Sequence, residues 1–358
     1  MEYHSSSRRE FLISAAPPFL AGASFGSRRA SAKESRQPFR VHQWRRDERN
    51  PIFPPGDSFD ATRCMNPFVI RHEGHYWLFY GGADANGAHR IRLAIAPEGN
   101  VTKWERLGPL FERGGPGSFD ELWCVLPCVH RIGGKWHLYY TGRGKIGRGL
   151  QSFRGIGLAV SDDLRHWERR QAEPILTGGG FKKWPDNRGI AGGGRIIELP
   201  QADGRILYRV HYTLATGTPS NDRRIDQAKQ SVTADSWDGI EWFNKQVALV
   251  PRAEATYEDC ATIALNVWRV QSGWRAIYAG IGTRFSAYSI CEAESADGLT
   301  WYRGEPDENL AMPPSGTGWE SEMTAYPNVI EENGLLRLFY CGNGYGRTGI
   351  GTALAERF

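Results

Sequence analysis

One short element occurs five times along the 358 residues, and it limits the possible folds more than any other feature. It is a glycine turn followed by an alternating strand. The copies are Gly74-His75-Tyr76-Trp77-Leu78-Phe79-Tyr80, Gly134-Lys135-Trp136-His137-Leu138-Tyr139-Tyr140, Gly204-Arg205-Ile206-Leu207-Tyr208-Arg209-Val210, Gly273-Trp274-Arg275-Ala276-Ile277-Tyr278 and Gly334-Leu335-Leu336-Arg337-Leu338-Phe339-Tyr340. An apolar run precedes each, beginning at Pro67, Val125, Arg195, Ile263 and Pro327. Short strands broken by turn residues read as antiparallel meanders. A fixed repeat of this kind means one supersecondary unit stacked on copies of itself.

A closing element recurs as well. Ser161-x-Asp163-Leu164-x-x-Trp167 matches Ser236-x-Asp238-Gly239-x-x-Trp242 and Ser295-x-Asp297-Gly298-x-x-Trp301, with a degenerate copy ending at Trp104. Asp and Gly favour a tight turn, and the tryptophan anchors the strand that follows. The element resembles a sialidase Asp-box with one residue fewer between Asp and Gly, and it reads as structural. The fifth copy stops at Phe358 without its tryptophan strand. The missing piece lies at the other end of the chain: the segment from Val41 through Trp44 to Phe53 parallels that from His166 through Trp167 to Leu176. An N-terminal strand that completes the last sheet closes a ring and removes the exposed sheet edges. We therefore expect an all-β chain, a five-bladed β-propeller over residues 33–358 whose last blade is closed by an N-terminal strand. A pair of β-sandwiches is the alternative, but it leaves the exchange of strands between the termini unexplained.

Composition agrees and narrows the partners. The 43 Gly, 13 Trp, 14 Tyr and 16 Phe suit an all-β architecture. The net charge is only +4, with no polybasic run past the N-terminus, so nucleic acid is not an expected partner. Ser7-Arg8-Arg9-Glu10-Phe11-Leu12, a weakly apolar stretch and Ala30-Ser31-Ala32 resemble a twin-arginine signal peptide over residues 1–32. No later stretch approaches the ~20 apolar residues of a membrane span. The expected location is the periplasm or the exterior. Six cysteines, at 64, 124, 128, 260, 291 and 341, fall mostly within expected strands as small buried hydrophobes, with no zinc-type spacing.

The G-x-W-x-L-Y-Y-x-G and S-x-D-L-x-x-W elements, in five blades spanning roughly residues 41–358, resemble the propeller glycosidases of glycoside hydrolase families 43 and 32 (arabinanases, levansucrases, invertases). The resemblance implies an axial funnel in which inner-strand carboxylates cleave a poly- or oligosaccharide. It also implies an Asp before Pro on the first inner strand, where this chain has Asn66-Pro67. An amide cannot act as base or nucleophile. A non-catalytic carbohydrate-binding propeller and a glycoside phosphorylase are therefore the alternatives. No cofactor is implied; an axial structural calcium is compatible with the fold but has no ligand pattern here.

Each inner strand is preceded by an aromatic and an acid: Phe59-Asp60, Phe119-Asp120, Trp184-Pro185-Asp186, Tyr257-Glu258 and Trp319-Glu320. A feature repeated in every blade suits a structural turn as well as a catalyst. Departures from the repeat carry more information, above all Glu322, with Asp259 and Glu121. The expected assignment is Asp60 as base or nucleophile, Glu322 or Asp259 as acid, and Asp120 or Asp186 as modulator of the acid. Arg63, Arg188, Asn66, Trp123, His211 and Tyr326 are the candidate substrate-binding residues. His211 reads as lying just after its strand, where other copies have small residues.

Overall fold

The structure, a computed structural model, describes residues 39–358 except 57, 147–149, 188, 193, 219 and 286. The expected signal peptide and Arg188 lie outside the described residues. The described residues are almost entirely β, with two four-residue helices and one short 3-10 turn among them.

Strand pairing follows the repeats. The first meander is β2 (Arg63–His72), β3 (His75–Ala83), β4 (His89–Pro97) and β5 (Glu105–Pro109), each antiparallel to the next. The second is β6 (Trp123–Ile132), β7 (Lys135–Ile146), β8 (Leu150–Ser161) and β9 (Glu168–Arg169). In the third, β10 (Ile190–Ala191) and β11 (Ile196–Pro200) share one partner, β12 (Ile206–Ala215), followed by β13 (Lys229–Ser236) and β14 (Phe243–Leu249). The fourth comprises β15 (Ala261–Val270), β16 (Gly273–Ile281), β17 (Tyr288–Ser295) and β18 (Leu310–Met312). The fifth is β19 (Ala325–Glu332), β20 (Leu335–Cys341) and β21 (Ile350–Glu356). Its outer strand is β1 (Arg45–Arg46), with Arg45 opposite Leu354, so the two termini share one sheet as the repeat pattern requires. The first strands neighbour one another: β2 contacts β6 and β19, and β15 contacts β11 and β19.

One expectation needs correction. β12 runs five residues past Val210, so His211 lies inside the strand and not after it. It precedes Tyr212 as Phe79 precedes Tyr80, and so replaces an aromatic core residue. The glycine-bearing stretch from Gly142 to Gly157 belongs mostly to the long β7 and β8. Its glycines serve packing: a Cβ on Gly142 would sit 2.3 Å from the Phe119 ring.

The apolar core lies between adjacent sheets. Each closing tryptophan packs on the sheet before it. Trp167 meets Phe79 edge-on at 5.9 Å, Trp242 meets Tyr139 at 6.0 Å, and Trp301 meets His211 at 5.9 Å. Trp104 meets Phe339 at 6.3 Å, which carries the same relation from the first sheet to the last. Trp44, from the N-terminal strand, joins the cluster of Trp268 and Ile277 in the fourth meander. Aromatics bury ~150–250 Å² each, so these contacts dominate the apolar stabilisation between sheets. The Ser-x-Asp elements form the tight turns expected of them: Asp163 Oδ1 accepts the N–H groups of Arg165 and His166, and Asp238 and Asp297 repeat the pattern. All six cysteines are buried and unbridged.

The N-terminal segment is also held from the side. Buried Glu292 accepts hydrogen bonds from the His42 N–H and from Trp44 Nε1 at 2.7 Å, lies 2.8 Å from His42 Nδ1, and pairs with Arg275 at 2.7 Å. Burial pushes its carboxyl up, but His42 and Arg275 outweigh burial and hold it below the usual range. Neutralising one member of a buried pair leaves the other uncompensated. Glu292→Gln is expected to lower unfolding stability by about 3 kcal/mol, read from equilibrium urea denaturation. An unchanged midpoint would refute a role for Glu292 in closing the ring.

Candidate functional site

The repeated acids are engaged within their own sheets. Asp60 is fully buried and accepts from the Tyr80 hydroxyl at 2.7 Å, Arg106 Nε at 2.9 Å and the Gly56 N–H at 3.0 Å. Asp120 is bound in the same way by Tyr140 at 3.1 Å and Arg169 at 2.9 Å. Glu258 takes the Tyr278 hydroxyl and the guanidinium of Arg303 at 3.0 Å, with Arg252 added at 2.8 Å. Glu320 takes Arg46 at 2.8 Å. In each case the acid stands before the first strand, and the arginine lies two residues past the closing tryptophan. The tyrosine of the second strand follows the acid by 20 residues in all four of these meanders. Burial raises the Asp60 carboxyl, but Tyr80, Arg106 and Gly56 outweigh it and hold it below the ordinary range. For Glu320 burial wins over Arg46, and its carboxyl is raised.

The third meander lacks the whole arrangement. Asp186 is exposed. Asn244 stands where the others carry arginine, and Leu214 where they carry the glycine that makes room for the aromatic and acid. Tyr212, the counterpart of Tyr80, keeps a buried hydroxyl with no hydrogen-bond partner.

The other expected residues divide as follows. Glu322 is exposed, and its N–H donates to Asn343 Oδ1 at 2.8 Å. Asp259 is buried and caps Thr283, accepting from its N–H at 2.8 Å and its hydroxyl at 2.9 Å. Glu121 accepts the N–H groups of Gly117 and Lys145. Asn66, Leu126 and Tyr326 each precede the inner-strand proline, and all three adopt a left-handed backbone, φ 55°, 57° and 52°. Each sits at a register shift in the first strand, a bulge that turns the side chain out of the ladder. Left-handed conformations are outliers for bulky residues and persist only where the surroundings impose them. Asn66 Oδ1 is buried without a partner. Tyr326 packs on Tyr288 at 5.4 Å, and Tyr288 on the exposed Tyr345 at 5.8 Å.

Two expected residues meet in a cavity of about 770 Å³ at the end where the first strands begin. Arg63 and Trp123 line it together with Thr62, Asp84, His89 and Arg347. Strand register explains the meeting. Arg63 pairs with Ala83, Ala83 with His89, His89 with Trp123, and Trp123 with Arg143, a continuous row across β2, β3, β4, β6 and β7. The Trp123 ring stands 4.1 Å from the His89 ring and 4.1 Å from the Arg143 guanidinium. Its faces are thus engaged by protein, which removes it as an open stacking platform for a sugar. Asp84 is tied to its own loop, accepting from the N–H groups of Asn86 and Ala88 and from Arg90. Sequence reading missed His89 and Arg347; the available signal was a polar residue opening a third strand, His89 here and Lys229 two meanders on.

A second cavity, of about 830 Å³, lies where the first strands end, between Ile70, Ile197, Val267, Trp268, Trp274 and Val329. None of the expected site residues lines it. Among the described residues, no three His, Cys, Asp or Glu side chains come together as a metal site. No helix among them is long and apolar enough to cross a membrane.

No family model matches the chain. It is 27% identical over 321 residues to the uncharacterised protein Rv1502 of Mycobacterium tuberculosis (strain ATCC 25618 / H37Rv), covering 87% of this chain and 99% of that protein. Among solved structures it resembles a glycosyl hydrolase from Bacteroides ovatus, with TM-score 0.65 and 15% identity over 88% of this chain and 94% of that one. A structure from work on the GH130 mannoside phosphorylases, a family containing hydrolases of β-1,2 mannosidic linkages in Candida mannan, gives TM-score 0.65 and 15% identity, covering 89% and 96%. A thermostable family-43 glycoside hydrolase gives 0.58 and 18%, covering 86% and 90%. At these identities the likeness is one of fold. The chain has the architecture of the propeller-type glycosidases.

His89 and His211 are both buried, and burial lowers each to about 4. For His89 the Arg63 and Arg143 charges add to that effect, against the Gly87 carbonyl. His211 meets backbone carbonyls at Arg195 and Gly298. Between the unfolded value near 6.5 and about 4, the unfolded chain binds protons that the native chain does not. Stability is therefore expected to fall as pH drops through that window. His211→Gln should remove up to one proton, about 1.4 kcal/mol per pH unit, from the slope measured by denaturation at stepped pH. An unaltered slope would contradict the buried neutral state.

Proposed function

We propose that the five meanders form a five-bladed propeller and that the chain is an exported glycosidase acting on a poly- or oligosaccharide at the end where the first strands begin. The division among the entrance acids supports this most strongly. Asp60, Asp120, Glu258 and Glu320 are consumed by the scaffold, whereas Glu322, at the same strand entrance as Glu320, and Asp186, at the third, stand exposed. We assign the cleaving pair to Glu322 and Asp186, and we assign Asp60 and Asp120 to structure. Hydrolysis needs the pair ~5–5.5 Å apart for retention or ~6.5–9.5 Å for inversion. The acid protonates the leaving oxygen while its partner attacks the anomeric carbon or activates a water. The twin-arginine pattern supports export of the folded chain.

Incubating the purified protein with a glycoside panel tests this. Glu322→Gln and Asp186→Asn should each lower turnover ~100-fold or more without moving the denaturation midpoint. Turnover untouched by both changes would overturn the assignment. Asn66, an amide where the related families carry the carboxylate, favours one second reading, a carbohydrate-binding propeller without turnover. Sugar binding with no product at any protein concentration would establish that reading. The guanidinium groups of Arg63 and Arg347 favour another, a phosphorylase, which would release product only when phosphate is supplied.

A further inference from the structure

We propose that the cavity between Arg63, His89 and Arg347 is a subsite for an oxyanion-bearing sugar, a uronate-type unit whose carboxylate meets the two guanidinium groups while a neighbouring hydroxyl donates to His89 Nε2. The proposal rests on the reading that sugars bind at this end of the molecule, and it adds the chemical class of the substrate.

Three observations carry it. Arg63 and Arg347 both line the cavity, and among the described residues neither has a carboxylate partner. Asp84, which lines the same cavity, is turned to its own loop, held by Arg90 and two loop N–H groups, and Arg143 lies on the Trp123 ring. The guanidinium groups of Arg63 and Arg347 are thus left without a carboxylate partner among the described residues. Planar guanidinium groups recognise carboxylate and phosphate oxygens in a bidentate way, which a neutral sugar cannot exploit to the same degree.

The third observation is His89 itself. It is about 95% buried, with its ring against Trp123. Nδ1 lies 2.9 Å from the Gly87 carbonyl, which can only accept, so Nδ1 carries the proton. Nε2 is then a bare acceptor, and among the described residues it has no partner. Buried polar atoms in native proteins are almost always satisfied, so an orphan lining a cavity asks for a donor from the ligand. A sugar hydroxyl supplies one, and a carboxylate on the same ring supplies what the arginines need. A neutral hexose satisfies only the histidine, and a free anion without a suitably placed hydroxyl only the arginines. Tyr345, two residues before Arg347 and exposed, offers an aromatic face beside the site.

The test is calorimetric titration of the full chain with glucuronate and galacturonate, with glucose and galactose, and with inorganic phosphate. Acidic sugars should bind at least tenfold more tightly than their neutral counterparts. Arg347→Gln, on an exposed side chain, should erase that preference. Equal affinity for acidic and neutral sugars, or a preference that survives Arg347→Gln, would overturn the proposal. Phosphate binding with no preference for uronates would overturn it in favour of a phosphate site. Uronate binding without glycoside turnover would leave the subsite standing and remove the glycosidase reading instead.

Discussion

The structure depends on one recurring ionic clasp. An acid before the first strand of a sheet reaches a tyrosine on the second and an arginine beside or within the fourth. A buried carboxylate alone would be costly, and a buried guanidinium likewise. Together, with the tyrosine hydroxyl, they satisfy one another and fix the distance between the innermost and outermost strands. The packing of each closing tryptophan on the preceding sheet then joins one clasped sheet to the next. The fifth sheet shows how strict the requirement is. Its clasp arginine, Arg46, comes from the opposite end of the chain, so the N-terminal strand brings both the missing edge and the missing charge.

Much of this was legible in the sequence. The five glycine-strand elements and the parallel between Trp44 and Trp167 gave the meanders and the shared terminal sheet, because periodicity and turn chemistry are local. The clasp was only half visible. The aromatic-acid dipeptides stood out, but the arginine two residues past each tryptophan did not. Their meaning depends on a contact across some 45 residues that no local pattern encodes. The third repeat was misaligned by two residues, since the extra length of β12 hides inside an ordinary strand; His211 was consequently read outside the core it helps to form.

The same distinction governs the site. Acids repeated in the sheets looked suited to catalysis because they are acidic and lie at strand entrances. The structure withdraws them from solvent and gives them cationic partners. What remains accessible is where the repeat breaks: Glu322, the unclasped Asp186, and Arg63 at the end of the row that runs to Arg143. That row could not be read from sequence because it depends on the register of five strands, with His89 and Trp123 joined across the seam between two meanders. The left-handed backbones at Asn66, Leu126 and Tyr326 were equally hidden, although each was marked by the proline that follows.

The clasps give the repeated acids the role of holding the sheets together. A double-mutant cycle between Asp120 and Arg169, with Asp120→Asn, Arg169→Gln and the double variant compared by equilibrium denaturation, tests it most directly. The clasp predicts a coupling of about 1–3 kcal/mol, with each single change destabilising and the second costing little once the first is made. Coupling near zero, with both single variants as stable as the native chain, would contradict it and return Asp120 to the list of candidate catalysts.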